Sequence, residues 1–159
     1  MLECTGTAAR PTVWMAPTGD EPEHELAIGG HGTGRDLSRI NVLIVEDESL
    51  VALDMERALS EAGYDVVAVV DTERDAIAEA ARLEPDLVLM DIALREGDGI
   101  AAAVAIRRRR DVPVIFVSGN TDPATLARVA QAQSAGFVRK PFIGIELVNE
   151  LDAIFNRKR

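Results

Sequence analysis

Side chains capable of metal binding and phosphoryl chemistry follow four of the five apolar runs in the sequence. Glu46 and Asp47 follow the first run, Asp91 the third, Ser118 the fourth and Lys140 the fifth. Three carboxylates that lie close together repel one another and need a cation, and a small set of oxygen ligands suits Mg²⁺. Asp91 could then attack a phosphoryl group while Lys140 and the Ser118 hydroxyl neutralise the phosphoryl oxygens. These residue types predict a magnesium-dependent aspartyl phosphate, provided that the fold brings them together.

Five apolar runs alternate with five segments of helical periodicity, and this alternation predicts the required fold. The predicted strands are residues 40–45, 66–70, 87–90, 112–117 and 136–139. The predicted helices cover 49–62, 100–109 and 144–156, and two more are capped by Thr72 and Asp122. Strands that alternate with helices form a parallel sheet, and right-handed crossovers narrow the topology to a doubly wound α/β fold with helices on both faces. The carboxyl ends of its five strands share one edge, where ligands bind.

The composition indicates one folded domain with an N-terminal extension. Residues 1–38 are rich in Gly, Pro and Thr and lack a periodic apolar pattern. We therefore predict a disordered or loosely attached tail, followed by a folded domain over residues 39–159. The single cysteine, Cys4, excludes a disulfide framework, and the sequence has neither a membrane-spanning apolar run nor a secretory signal. These features predict a cytoplasmic protein without a membrane partner.

The charge pattern and the histidine positions exclude other classes of function. The net charge of −10 disfavours a nucleic-acid partner. The basic runs at 107–110 and 157–159 are typical of helix C-termini, where cations complement the helix dipole. The only histidines, His24 and His31, precede the first predicted strand. The folded segment therefore lacks the histidine that Ser-His-Asp catalysis, Cys-His catalysis and histidine metal sites require.

Five motifs, taken together, resemble the response-regulator receiver domain of two-component signalling. They are VLIVEDE at 42–48, DLVLMD at 86–91, DG at 98–99, PVIFVSG at 113–119 and FVRKPF at 137–142. The resemblance covers residues 41–159, and the joint spacing of the motifs is highly specific. It implies a flavodoxin-like strand order of 2-1-3-4-5. It also implies a phosphoacceptor regulator in place of an enzyme.

The resemblance implies a role for each polar residue at the predicted edge. Asp91 would accept a phosphoryl group from a histidine kinase or a histidine phosphotransfer protein, and would later lose it by autodephosphorylation. Mg²⁺ would be held by Asp47, Asp91 and the backbone carbonyl of Ala93, with Glu46 acting through water. Lys140 would neutralise a phosphoryl oxygen.

Further positions that match the family concern the lysine and the signal output. The peptide bond between Lys140 and Pro141 is commonly cis in this family, which would aim the ammonium inward. Ser118 and Phe137 match the hydroxyl and aromatic switch positions. Phosphorylation would draw the Ser118 hydroxyl inward and remodel the face formed by the fourth helix, the fifth strand and the fifth helix. That face would bind a kinase, a downstream regulator protein or a second copy in a homodimer, unless the protein acts only as a phosphoryl sink.

Three features depart from the common family pattern. Arg95 occupies a position where the family often has proline, which predicts either a more mobile loop or a contact with a partner. Gly119 replaces a frequent alanine and would open the phosphoryl site to water, so the lifetime of the phosphoryl group stays open. No residue follows Arg159, and we therefore expect a stand-alone, single-domain receiver.

Two alternative functions stay open at this point. A metal-dependent phosphatase can also form an aspartyl phosphate, but such enzymes typically carry a second acid two residues after the nucleophile, where this chain has Ala93. The other alternative is a receiver-like adaptor that needs no phosphate, although all five polar side chains of the predicted site are present. A dinucleotide-binding enzyme is excluded, because residues 45–49 stand where its glycine-rich turn would be.

Overall fold

Five strands and five helices alternate along residues 39–158, the part of the chain that the computed structural model describes. The strands are β1 (Asn41–Val45), β2 (Asp65–Val70), β3 (Leu87–Asp91), β4 (Val114–Ser118) and β5 (Gly136–Arg139). The helices are α1 (Ser49–Glu61), α2 (Glu73–Leu83), α3 (Gly99–Arg109), α4 (Pro123–Gln131) and α5 (Gly144–Lys158). Side chains are described as far as residue 154, and the predicted tail over residues 1–38 lies outside the described part. None of the five helices in this stretch has both the length and the apolar character that crossing a bilayer requires.

The strands form one parallel sheet in the order β2-β1-β3-β4-β5. β1 pairs with both β2 and β3, and β4 joins β3 to the edge strand β5. Each pair of consecutive strands is connected through a helix, as parallel neighbours require. The order confirms the predicted doubly wound, flavodoxin-like α/β fold. It places β3, which ends in Asp91, at the centre of the sheet.

The sheet separates two hydrophobic clusters, because successive side chains of a strand point to opposite faces. The α1–α5 cluster is built around Ile44, Leu89 and Val117 of the strands, with Met55, Leu59 and Leu151 of the helices. The α2–α4 cluster is built around Val45, Met90 and Phe116 of the strands, with Ala80, Ile106 and Val129 of the helices. The sheet is therefore covered on both faces, and its three central strands β1, β3 and β4 are almost completely buried.

Side-chain caps set the beginnings of α2 and α4 where the sequence predicted them. The Thr72 hydroxyl accepts a hydrogen bond from the backbone N–H of Asp75 at 3.1 Å. The Asp122 carboxylate accepts one from the backbone N–H of Thr125 at 2.9 Å. Each bond satisfies a donor that the first turn of a helix leaves without an intrahelical partner.

The inward faces of α1 and α2 match helical spacing except at one position each. The spacing predicts Met55, Leu59 and Ala62 on the inner face of the first helix and Ala80 and Ala81 on that of the second. Ala62 and Ala81 are exposed, and the others are buried. Ala52 of α1 and Ala76 of α2 are buried in their place. Both helices carry many small apolar residues, so periodicity alone allowed more than one inward face.

Two arginines tie α4 to α3. Arg107, in the basic last turn of α3, donates to the backbone carbonyl of Ala132 at 3.0 Å and also to that of Gln133. Arg128 of α4 forms an ion pair with Asp98, the residue that caps the beginning of α3. The basic run at 107–110 thus marks a helix C-terminus, as predicted, but Arg107 holds the end of the neighbouring helix and is only partly exposed.

Candidate functional site

Polar side chains from four segments meet at one edge of the sheet, as predicted. Glu46 and Asp47 follow β1, Asp91 ends β3, Ser118 ends β4 and Lys140 follows β5. One carboxylate oxygen from each of the three acids lies within 4.8 Å of the others. Within the described part of the chain, Glu46, Asp91 and Ser118 are the polar residues whose surface is buried. Because ionised carboxylates are seldom buried without a partner, their burial here calls for a nearby cation.

Lys140 is a cationic partner of this cluster. Its peptide bond to Pro141 is cis, as the family resemblance implied. The ammonium Nζ donates a hydrogen bond to Asp91 Oδ2 at 3.1 Å. Nζ also lies 2.6 Å from Glu46 Oε2 and 3.8 Å from Glu48 Oε1. The contact with Glu46 is a close ion pair, which gives this buried oxygen a cationic partner.

The pKa values of the ion pair follow from burial and charge. Burial raises the pKa of Glu46 to about 7, and the contacts with Lys140 and with the Glu48 backbone offset this effect only in part. Burial by itself would lower the pKa of Lys140, but the carboxylates of Glu46 and Asp91 outweigh it, so the pKa is raised. The ammonium therefore stays charged at neutral pH. Glu46, in contrast, is divided between its protonated and ionised forms.

Backbone donors hold the other polar atoms in place. The N–H of Ala93 donates to Asp91 Oδ1 at 3.1 Å, so the two carboxylate oxygens of Asp91 have different partners. The N–H of Asn120 donates to the Ser118 hydroxyl oxygen at 3.1 Å. This bond uses an acceptor lone pair of Ser118 and leaves its O–H free to rotate towards a new acceptor.

The loop between β3 and α3, residues 92–98, is braced against the rest of the site. The backbone N–H of Arg95 donates to Asp47 Oδ2 at 2.8 Å, and its guanidinium Nε lies 3.8 Å from the same oxygen. Glu73 joins the loop twice, since its N–H donates to the carbonyl of Glu96 at 3.1 Å and its carboxylate accepts from the N–H of Asp98 at 2.8 Å. Arg95, which stands where the family often has proline, therefore contacts Asp47 of the same chain. The sequence did not reveal this contact.

Two glycines at this edge have opposite surroundings. A Cβ atom added at Gly99 would lie 1.9 Å from the carbonyl oxygen of Asp91, so only glycine lets α3 begin this close to β3. A Cβ added at Gly119 would meet only the Cβ of Lys140, at 3.9 Å. Gly99 thus has a structural requirement, whereas Gly119 leaves open space beside the Lys140 side chain.

The acidic cluster fits a hard divalent cation. All three acids offer oxygen ligands, which Mg²⁺ prefers, and their number is small enough for the ion to keep several waters. Glu46 Oε2 has the Lys140 ammonium as its partner, and the carboxylate keeps further lone pairs that a metal-bound water could use. The fourth predicted ligand is the backbone carbonyl of Ala93, two residues after Asp91. The N–H of Ala93 donates to Asp91 Oδ1.

The two predicted switch residues lie on neighbouring strands. Ser118 ends β4 and is buried. Phe137 of β5 is opposite Phe116 in the register and packs against the α2–α4 cluster while staying partly exposed. The fold therefore places both at the side of the site that adjoins β5.

Comparison with known proteins identifies the family. The family model for the response regulator receiver domain matches residues 42–152. The transcriptional regulatory protein PdtaR of Mycobacterium tuberculosis is 31% identical over 118 residues, which cover 74% of this chain and 58% of the relative. The sensory transduction protein BceR of Halalkalibacterium halodurans is 34% identical over 116 residues, which cover 73% of this chain and 50% of the relative. The chain thus spans about half the length of these curated relatives.

A solved structure shows the same architecture. The signal receiver domain of a modulated diguanylate cyclase from Desulfovibrio desulfuricans G20 has a TM-score of 0.70 and 31% sequence identity. The match covers 76% of this chain and 96% of that domain. Sheet order, acidic cluster, family model and relatives agree, and the chain belongs to the response regulator receiver domains of two-component signalling, a family that signals and is generally not enzymatic.

Proposed function

We propose that this protein accepts a phosphoryl group on Asp91 from a histidine kinase or a histidine phosphotransfer protein. The observation that supports it best is the pairing of the buried Asp91 carboxylate with Lys140 inside the three-acid group. One Asp91 oxygen attacks phosphorus in line with the phosphorus–nitrogen bond of the donor's phosphohistidine. The oxygen–phosphorus bond forms as the phosphorus–nitrogen bond breaks, and the imidazole nitrogen keeps the electron pair and takes a proton.

The surrounding residues stabilise the transferred group. Lys140, already 3.1 Å from Asp91 Oδ2, neutralises one phosphoryl oxygen. The Ser118 hydroxyl and the backbone N–H of Ala93 donate to the others. The open space at Gly119 admits the donor and, later, the water that removes the phosphoryl group in autodephosphorylation.

Mg²⁺ is the cofactor that the acidic cluster fits. We assign its ligands as Asp47, Asp91 and the backbone carbonyl of Ala93, with Glu46 acting through water. When bound, Mg²⁺ supplies charge neutralisation for a phosphoryl oxygen. Asp47→Asn should therefore remove any Mg²⁺-induced rise in the melting temperature, because ligand binding to the folded state is what raises it. An unchanged Mg²⁺ response in that variant would contradict the assignment.

Phosphorylation of Asp91 can be tested with a matched pair of variants. Asp86 begins the segment whose other end is Asp91, and its carboxylate accepts from the N–H of Asn41 at 2.9 Å, far from the acidic cluster. Asp86→Asn keeps that acceptor and serves as the control. With acetyl phosphate and Mg²⁺, wild type and Asp86→Asn should form an acyl phosphate detectable by mass spectrometry, and Asp91→Asn should not. Labelling of Asp91→Asn at the wild-type level would exclude Asp91 as the acceptor.

Exposed apolar side chains near this edge suggest where a protein donor docks. Leu50, 79% exposed, is the second residue of α1 and lies close after the acidic pair, and Ile143, 63% exposed, follows the Lys140 segment. Leu50→Ser should slow transfer from a phosphorylated donor protein but not from acetyl phosphate. Leu126→Ser, on exposed α4, is the matched comparison, because it removes a leucine outside this patch. Slowing by Leu126→Ser and not by Leu50→Ser would place the donor on the face of α4 instead. Equal slowing with both donors would mean that Leu50 supports the site and does not bind the donor.

The output of the protein follows from the switch pair. Movement of Ser118 towards the phosphoryl group would let Phe137 turn inward and change the face formed by α4, β5 and α5. That face, with Leu126 exposed, would bind a downstream regulator or a second copy of the chain. Hydrogen exchange with and without phosphorylation tests the change. If phosphorylation changes the exchange protection only in the loops around Asp91 and not over residues 122–150, a phosphoryl sink is the better account.

The alternatives gain no support from the site. Ala93 is an exposed, apolar residue where a phosphatase of this chemistry would carry its second acid. Turnover of a small phosphate ester by the wild type would favour the phosphatase. Partner binding that is equal for wild type and Asp91→Asn, with and without phosphodonor, would favour the adaptor. A nucleic-acid partner is also disfavoured, because Arg107 and Arg110 donate to backbone carbonyls within the chain.

A further inference from the structure

Arg95 makes two distinct contacts with the carboxylate of Asp47. Its backbone N–H donates to Oδ2 at 2.8 Å, and its guanidinium Nε lies 3.8 Å from the same oxygen. We infer that Arg95 is a tethered counter-ion of the acidic cluster, which orients Asp47 through the backbone and lowers the affinity of the site for a divalent cation through the side chain. This inference rests on the proposed Mg²⁺ site.

The backbone contact positions Asp47. A carboxylate has two oxygens, so a bond from Arg95 to Oδ2 leaves Oδ1 and further lone pairs for a cation. A proline at position 95 has no N–H and could not make this bond. The arginine therefore brings an orienting donor that the more frequent family residue lacks.

The side-chain contact is electrostatic and reversible. The guanidinium bears a permanent positive charge, and a divalent cation at Asp47 would lie close enough to be repelled by it. The Arg95 side chain is 79% exposed, whereas that of Asp47 is only 14% exposed. The arginine can therefore swing into solvent when the cation arrives, while Asp47 cannot. An exposed charge of this kind modulates affinity and does not block the site.

The test measures Mg²⁺ binding directly, without phosphorylation. Isothermal titration with MgCl₂ should give the Arg95→Met variant a dissociation constant roughly threefold lower than that of the wild type, the size expected for an exposed ion pair. Arg108→Met is the control, because it removes an equal charge from an exposed residue in the last turn of α3. About nine helical residues, or roughly 13 Å, separate it from the beginning of that helix. The control should bind Mg²⁺ as the wild type does.

Salt concentration and a proline variant separate the two parts of the inference. The gain in Arg95→Met should shrink in roughly 1 M KCl, because salt screens exposed charges. Arg95→Pro, which loses both contacts, should bind Mg²⁺ less tightly than Arg95→Met does. An unchanged affinity in Arg95→Met, or a gain equal to that of Arg108→Met, would overturn the inference while leaving the proposed function intact. If Asp47→Asn binds Mg²⁺ as tightly as the wild type does, both the inference and the proposed Mg²⁺ site are wrong.

Discussion

The pKa of Glu46 leads to a testable dependence of stability on pH. Burial raises this pKa to about 7 in the folded, metal-free protein, whereas the ordinary value, expected for the unfolded chain, is 4.5. The folded protein therefore keeps a proton that the unfolded chain releases between these two values. The stabilisation from this group is complete below about pH 4.5 and is lost as the pH rises to about 7.

The size of the effect follows from the pKa difference. Each pKa unit corresponds to about 1.4 kcal/mol, so the ionised Glu46 costs about 3 kcal/mol of folding stability at pH 8 relative to a neutral group. Glu46→Gln keeps the shape and removes the charge, and Lys140 keeps Asp91 as its partner. The variant should match the wild type near pH 4.5. At pH 8 it should melt roughly 10 °C higher, given the size of the domain.

The assay is thermal unfolding followed by circular dichroism, in EDTA, from pH 4.5 to pH 8. Glu56→Gln, which removes an exposed carboxylate from α1, is the control and should follow the wild type at every pH. A difference between Glu46→Gln and wild type that stays constant with pH would refute the reasoning. So would a Gln variant that is less stable than the wild type at pH 8, because the Lys140 contact would then outweigh burial.

Three further predictions concern the glycines, the link between α3 and α4, and the N-terminal segment. Gly99→Ala should lower the unfolding free energy in urea by more than about 2 kcal/mol, because its Cβ would clash with the Asp91 carbonyl oxygen, whereas Gly119→Ala should change it by less than about 0.5 kcal/mol. Burial alone would raise the pKa of Asp98, but the bond and charge of Arg128 and the bond from the Ile100 N–H together outweigh it and lower that pKa, so the stability advantage of wild type over Asp98→Asn should disappear as acid titration passes below pH 3.8. Deletion of residues 1–38 should leave the melting temperature and the phosphorylation of the domain unchanged, as judged by calorimetry and mass spectrometry.

The sequence predicted the fold well, because strong local signals determine it. Short apolar runs between helical segments allow few topologies, and the ends of parallel strands must converge, so the grouping of Asp47, Asp91 and Lys140 followed from chain order alone. The caps at Thr72 and Asp122 depend on neighbouring residues, and they too were predicted correctly.

The sequence could not predict the individual hydrogen bonds that join distant segments, or the burial that distant segments produce together. The bond from Arg95 to Asp47 joins residues 48 positions apart, and nothing in the spacing of either residue indicates it. The only available signal was the departure from proline, which showed that an N–H exists there but not where it points. The pKa of Glu46 likewise depends on burial by several segments. Burial was predicted wrongly for Ala62 and Ala81, because alanines on several sides of these helices leave little difference in hydropathy between the faces.

The division of the core by the sheet separates two kinds of recognition. Leu50 and Ile143 adjoin α1 and α5, whose side chains pack in the α1–α5 cluster. Ser118 lies two residues after Phe116 along β4, so the two side chains point to the same face of the sheet. That is the face of the α2–α4 cluster, against which Phe137 packs. Under the proposed function, the side chains that would contact the donor, Leu50 and Ile143, therefore have different neighbours from those that would respond to phosphorylation, Ser118 and Phe137. Substitutions at Leu50 or Ile143 that change donor recognition should then leave the packing of Phe137 in the α2–α4 cluster unaltered.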